Sequence, residues 1–106
     1  MLWRIQITKS ADRDFANILR DSEQKFGRAQ AEIYQRILSA ALDELTAGPE
    51  ILGSQSKTSV RPGLRILHVA RKNRSGRHML VYAAQKNNVI LILRILHDAM
   101  DLARHV

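Results

Sequence analysis

Polar and apolar residues alternate at the start of the chain, then change to a longer period. Trp3, Ile5 and Ile7 alternate with Arg4, Gln6 and Thr8, the two-residue period of a half-buried strand. Ser10 is a helix-capping residue, and Asp12 and Asp14 follow where the helix dipole favours carboxylates. Ala11, Phe15, Ile18, Leu19, Ser22 and Phe26 then recur at helical spacing, and Gly27 is placed to end the helix. Ile33, Tyr34, Ile37, Leu38, Ala41, Leu42 and Leu45 form a second helical stripe, stopped by Gly48-Pro49. So short a link predicts an antiparallel helical hairpin with both stripes turned to one core.

Residues 50–63 carry Gly53, Ser54, Ser56, Ser59, Pro62 and Gly63 and read as a surface connection. Strands are expected from Leu64 to Arg71 and from Arg77 to Ala84, separated by the basic loop Lys72-Asn73-Arg74-Ser75-Gly76. Lys86-Asn87-Asn88 reads as a hairpin turn into Val89-Ile90-Leu91-Ile92-Leu93, a run apolar enough to be buried on both faces. It continues as Arg94-Ile95-Leu96-His97. Asp98 can then cap a short helix that places Met100, Ala103 and Val106 on one side. Trp3 and Met100 are expected in the core. The predicted fold is α+β: a small antiparallel sheet with a helical hairpin on one face, in the order β-α-α-β-β-β with a short C-terminal helix. Residues 1–106 form a single domain.

Charge sharpens this picture. Of the net +7, residues 1–50 hold seven Lys/Arg against eight Asp/Glu, while residues 51–106 hold ten against two. From Lys57 to His78 there are seven basic side chains and no acid. A field of one sign over half a small domain steers a polyanion or an acidic protein to that half. The chain has no cysteine, which excludes disulfides, thiolate metal sites and cysteine catalysis and fits a cytoplasmic protein. The N-terminus lacks the apolar core of a signal peptide. No apolar run approaches the roughly 20 residues needed to span a membrane, so no membrane partner is expected.

Catalytic patterns are sparse. His68, His78, His97 and His105 show no metal-ligand spacing, and no carboxylate partner for them is evident. No glycine-rich phosphate loop and no nucleophile elbow occur, so neither metal nor cofactor is expected. What remains is a set of arginines on strands. Arg94, which interrupts the most apolar run, must reach a sheet edge or be paired, with Asp98 or Asp101 as local partners.

Several motifs resemble the RelE/ParE toxins, and the ParE branch in particular. Ser10-Ala11-Asp12-Arg13-Asp14 is similar to that family's opening helix. Phe26-Gly27 followed by Ala29, Ala31 and Tyr34 resembles its second-helix entry. Arg61-Pro62-Gly63-Leu64-Arg65 looks like its turn into the central strands, and Arg77-His78-Met79-Leu80-Val81-Tyr82 like its His-x-x-x-Tyr strand. Arg94-Ile95-Leu96-His97 followed by Met100-Asp101 resembles its ending.

The resemblance implies a type II toxin that blocks DNA gyrase, is not an enzyme, and is neutralised in a hetero-oligomer by an acidic, partly disordered ParD-like antitoxin. The rival it leaves open is a RelE-like mRNA endoribonuclease using Arg65, Arg71, Arg94 and His97. A second rival is a non-toxic nucleic-acid-binding module. Target contact is expected at Arg65, Arg71, Lys72, Arg74, Arg77, Arg94 and His97, with nucleic-acid phosphates as a further partner for the basic loop. Antitoxin contact is expected at Phe15, Ile18, Leu19, Tyr34, Leu38, Arg65 and Tyr82, where an amphipathic hairpin meets a strand edge.

Overall fold

The computed structural model describes residues 2–106; Met1, the first residue of the expected domain, lies outside them. Strand β1 (Arg4–Ile7) leads into the hairpin of α1 (Lys9–Phe26) and α2 (Arg28–Glu44), which ends in a 3-10 turn at Leu45–Ala47. Then follow β2 (Gln55–Ser56), β3 (Leu64–His68), β4 (His78–Gln85) and β5 (Val89–His97), with a last 3-10 turn at Leu102–Arg104. The strand order is β1-β5-β4-β3-β2. Strands β2 to β5 pair antiparallel, but β1 lies parallel to β5, Arg4 opposite Val89. The sheet is therefore mixed, which corrects the purely antiparallel expectation. Only strands joined by short loops are forced antiparallel, and β1 reaches β5 across the whole domain.

The helix cap also moves. Thr8, not Ser10, caps α1, accepting the Ala11 N–H at 3.1 Å. The hairpin covers one face of the sheet, where Ala11, Leu38, Ala41 and Leu45 meet Leu67, Leu80, Tyr82, Ile90 and Ile92 in the main core. On the opposite face Leu64, Met79, Val81 and Leu96 form a second, smaller core, against which Leu102 and Val106 pack. The expected C-terminal helix is a single turn capped by Asp101, because Asp98 is engaged elsewhere. Met100, expected in the core, is 46% exposed.

One irregularity positions the site. Pairing between β4 and β5 shifts register between Val81 and Tyr82, leaving Leu93 as an extra residue between Ile92 and Arg94. Before this bulge Ile90 and Ile92 face the hairpin; after it Ile95 does, while Leu93 and Leu96 lie on the second face. Unbroken alternation from Ile92 would turn Ile95 and His97 away from the hairpin. The bulge brings them back.

Candidate functional site

A groove of about 710 Å³ lies where the turn end of the hairpin, around Gly27, meets the end of β5 and the loop before β4. His78 and His97 form its floor, as direct cross-strand partners. Their rings meet edge to face, centroids 5.3 Å apart. Tyr34 leans in from α2, its hydroxyl 2.6 Å from His78 Nδ1. The Arg77 backbone N–H donates to the same hydroxyl at 3.3 Å. With one proton and two acceptor lone pairs, the Tyr34 hydroxyl can take the Arg77 N–H and still donate to His78 Nδ1, the pairing that sets the imidazole proton on Nε2. Burial, reinforced by the neighbouring His97, lowers the His78 pKa, and burial raises that of Tyr34. His97 is fixed in the same tautomer, because its Nδ1 accepts the Ala99 N–H at 3.0 Å. Its 3.5 Å approach to the Asp98 carboxylate then sets two acceptors side by side, not a charge pair.

Asp98 braces the rim. It accepts from His68 Nε2 at 2.8 Å and from Arg77 Nε at 3.2 Å. The hydrogen bond from His68, then that from Arg77, pull its pKa to about 2. The His68 proton is placed by sequence neighbours, since its Nδ1 accepts the Ala70 N–H at 3.0 Å.

The arginines behave differently from expectation. Arg94 is gripped by Asp14 through Nε at 2.7 Å and Nη2 at 3.0 Å, not by Asp98 or Asp101. Arg65 donates to Pro49 O at 3.0 Å and to Ser54, and its cross-strand partner Tyr82 donates to the same carbonyl at 2.6 Å. Arg71, Lys72 and Arg74 all converge on Glu44. Burial alone would raise the Glu44 carboxyl, but hydrogen bonds from Lys72 and Arg74, with the nearby arginine charges, outweigh it and hold the pKa low.

A single cationic gripping face is thus corrected. Arg65, Arg71, Arg74 and Arg94 are fasteners engaged within the chain, although Arg71 Nε and Nη1 and Arg74 Nε are buried without a hydrogen-bond partner. Of the expected target residues, Lys72 (65%) and Arg77 (71%) keep well-exposed side chains, with His97 at 38%. Arg74, Arg77 and His97 share the groove. Of the expected antitoxin set, Leu38 and Tyr82 are wholly buried, whereas Phe15, Ile18 and Leu19 are partly exposed and pack against the main core. Tyr34 is half-buried in the groove. Leu38 and Tyr82 offer no surface to a partner in this conformation.

Sequence reasoning missed His78 and the role of Tyr34. The pairing was not countable from the turn: the register beside it, Gln85 opposite Val89, would set His78 opposite Leu96, and the bulge shifts it to His97. Among the described residues no three His, Asp or Glu side chains are arranged to hold a metal ion, and no helix is long and apolar enough to cross a membrane.

A family model described as the ParE toxin of type II toxin–antitoxin systems matches residues 5–102. Toxin ParE1 of Mycobacterium tuberculosis, from strains CDC 1551 / Oshkosh and ATCC 25618 / H37Rv, is 34% identical over 82 residues, 77% of this chain and 76% of the relative. A chain of the chromosomal ParDE toxin–antitoxin system from P. aeruginosa superimposes with a TM-score of 0.68 at 20% identity, over 91% of this chain and 96% of that one. A chain of the RelBE2 toxin–antitoxin complex of M. tuberculosis gives 0.58 at 17% identity, over 92% and 99%. These two structures share the fold.

Proposed function

The chain belongs to the ParE toxin family of type II toxin–antitoxin systems, and from that membership we propose that it is a protein inhibitor of DNA gyrase, not an enzyme. A cognate ParD-like antitoxin, acidic and partly disordered when alone, holds it inactive in a hetero-oligomer. The observation that favours an inhibitor over a ribonuclease is the fate of the expected RNA clamp. Arg65, Arg71 and Arg94 are each engaged by their own chain and do not join His97 in its groove. A metal-free RNase needs such cations free to meet the scissile phosphate.

With Leu38 and Tyr82 in the core, the antitoxin's extended tail is assigned to the sheet edge at β1. This strand pairs only with β5, and Leu2 (73% exposed) and Ile7 (45% exposed) stand beside it as uncovered apolar surface. Lys72 and Arg77 remain as exposed cations for the target or for its DNA.

Expression in cells, with and without the neighbouring reading frame, tests the reading. Growth arrest with accumulated gyrase–DNA breaks and intact mRNA, relieved by the neighbour, is expected. Codon-related cuts in translated mRNA without such breaks would overturn it in favour of a ribonuclease. Salt-steep nucleic-acid binding with no arrest would overturn it in favour of a non-toxic binding module.

A further inference from the structure

The floor of the groove presents donors that the protein itself does not use. His97 carries its proton on Nε2, as does His78 when Tyr34 donates to its Nδ1, and among the described residues no protein group bonds either Nε2. Arg77 is held by Asp98 through Nε alone, which leaves both terminal nitrogens of its fork without a protein acceptor. All three side chains line one groove. Its other wall is apolar, built from Ile18, Phe26, Ile33 and the ring of Tyr34. Phe26 is 69% and Ile33 41% exposed, so this wall is not closed by the protein's own packing.

We infer that the groove is a nucleotide-binding site: the phosphate monoester sits on Arg77, His78 and His97, and the base lies against Phe26 and Ile33. A guanidinium fork with two imidazole N–H groups suits the oxygens of a phosphate, which accepts several charge-assisted hydrogen bonds at once. The volume lies within the range of small-molecule sites. A flat apolar wall next to a polar floor matches a ligand with one planar ring and one anion, because bases stack on such walls whatever their identity. Only Phe26 and Ile33 stand well clear of the core on this wall, fewer than the three or four anchors a partner helix would bring. The acid on the lining, Asp21, is paired with Lys25 at 3.1 Å and offers the phosphate no unneutralised carboxylate. Asp98 is likewise occupied by His68 and Arg77.

Binding should also take up protons. The groups facing the two imidazoles are Tyr34 from α2, Asp21 and Lys25 from α1, His68 from β3, Arg74 and Arg77 from the loop, and Asp98 beyond β5. In the empty groove burial and the His97 ring 5.3 Å away disfavour a charge on His78. A bound dianion removes that penalty.

Calorimetric titration of the full chain with adenosine 5′-monophosphate, inorganic phosphate and adenosine tests the site without any gyrase present. The monophosphate should bind at least tenfold more tightly than either fragment, with a heat that changes with the ionisation enthalpy of the buffer. R77Q should weaken it at least tenfold, and F26A should reduce it to the level of phosphate; both side chains are exposed. NMR signals of the His78 and His97 rings should move on titration. Equal affinity for the monophosphate and for phosphate would overturn the nucleotide assignment and leave an anion site. No binding at millimolar monophosphate, or binding unchanged in both variants, would overturn the site altogether.

Discussion

Asp14 and Arg94, eighty positions apart, form a two-pronged ion pair that bolts α1 to the bulge in β5. The same carboxylate accepts the Ile95 N–H at 3.0 Å, and Thr8, the α1 cap, donates its hydroxyl to Leu93 O at 2.9 Å. The backbone groups that the bulge frees from the ladder are thus taken up by the first turns of α1. The bulge in turn sets the facing of His97, so a helix start near the N-terminus fixes the geometry of a groove at the far end of β5.

Removing the acid should therefore cost more than removing the pair. D14N leaves the Arg94 charge, 29% exposed, without its counter-ion. It should lower stability by about 3 kcal/mol and the melting temperature by roughly 10 °C or more. D14N/R94M removes both charges and should recover part of that loss. Urea unfolding of the three proteins checks this. A double variant less stable than D14N would contradict it.

The loop before β4 hangs on one carboxylate. Glu44, 14% exposed, answers Arg71 and Arg74, which are 17% and 19% exposed, and the outlying Lys72. E44Q leaves like charges crowded with no counter-ion and should destabilise by about 2–4 kcal/mol. Because this loop carries Arg77 to the groove, its amides should exchange faster with solvent while those of β4 and β5 change less. Hydrogen exchange resolves the two regions. Uniform acceleration would mean that Glu44 supports the whole fold and not the loop.

Apart from the two-residue β2, which lies in the stretch read as a surface connection, the element order was legible from residue patterns, because each helix stripe and each turn has a local signature. Asn87 and Asn88 adopt left-handed φ of 64° and 57°, as a tight turn of asparagines allows. Long-range choices were not legible. Nothing local tells β1 to lie parallel to β5, and the unbroken apolar run from Val89 carries no mark of the extra residue at Leu93. Arg94 showed plainly that it needed an acid. Its partner lies on α1, not a few residues ahead, because β1 ends opposite Ile92 and the first turns of α1 come to lie beside this part of β5. The histidine pair was not legible either, because both its register and its facing depend on that same bulge.

Acid should weaken the rim in a defined window. The Asp98 pKa of about 2 lies below the ordinary value of 3.8, so its folded-state carboxylate is favoured. A lowered acid pKa gives stability that is present above about pH 4 and is lost as pH falls toward 2. Glu44, also shifted downward, adds loss in the same direction below its ordinary value of 4.5. D98N should lower the neutral plateau and flatten the acid limb between pH 4 and 2, so that variant and wild type converge in acid. An NMR titration that finds Asp98 at its ordinary value would remove the basis for this.

Gly76 sets how closely Tyr34 approaches the groove floor. A methyl group there would lie 2.7 Å from Val69 Cγ2 and 2.9 Å from the Tyr34 hydroxyl, closer than atoms can sit without movement. Val69 is wholly buried and cannot swing aside, so the displacement must fall on Tyr34 or on the loop. G76A should cost about 1–3 kcal/mol by this overpacking. It should also break the Tyr34–His78 hydrogen bond, freeing His78 Nδ1. Y34F removes that bond without the clash, so both variants should shift the His78 ring signals in the same way, whereas only G76A should lower stability by more than about 1.5 kcal/mol, the worth of a single hydrogen bond. If G76A leaves the His78 signals at their wild-type positions, the glycine does not govern the approach of Tyr34.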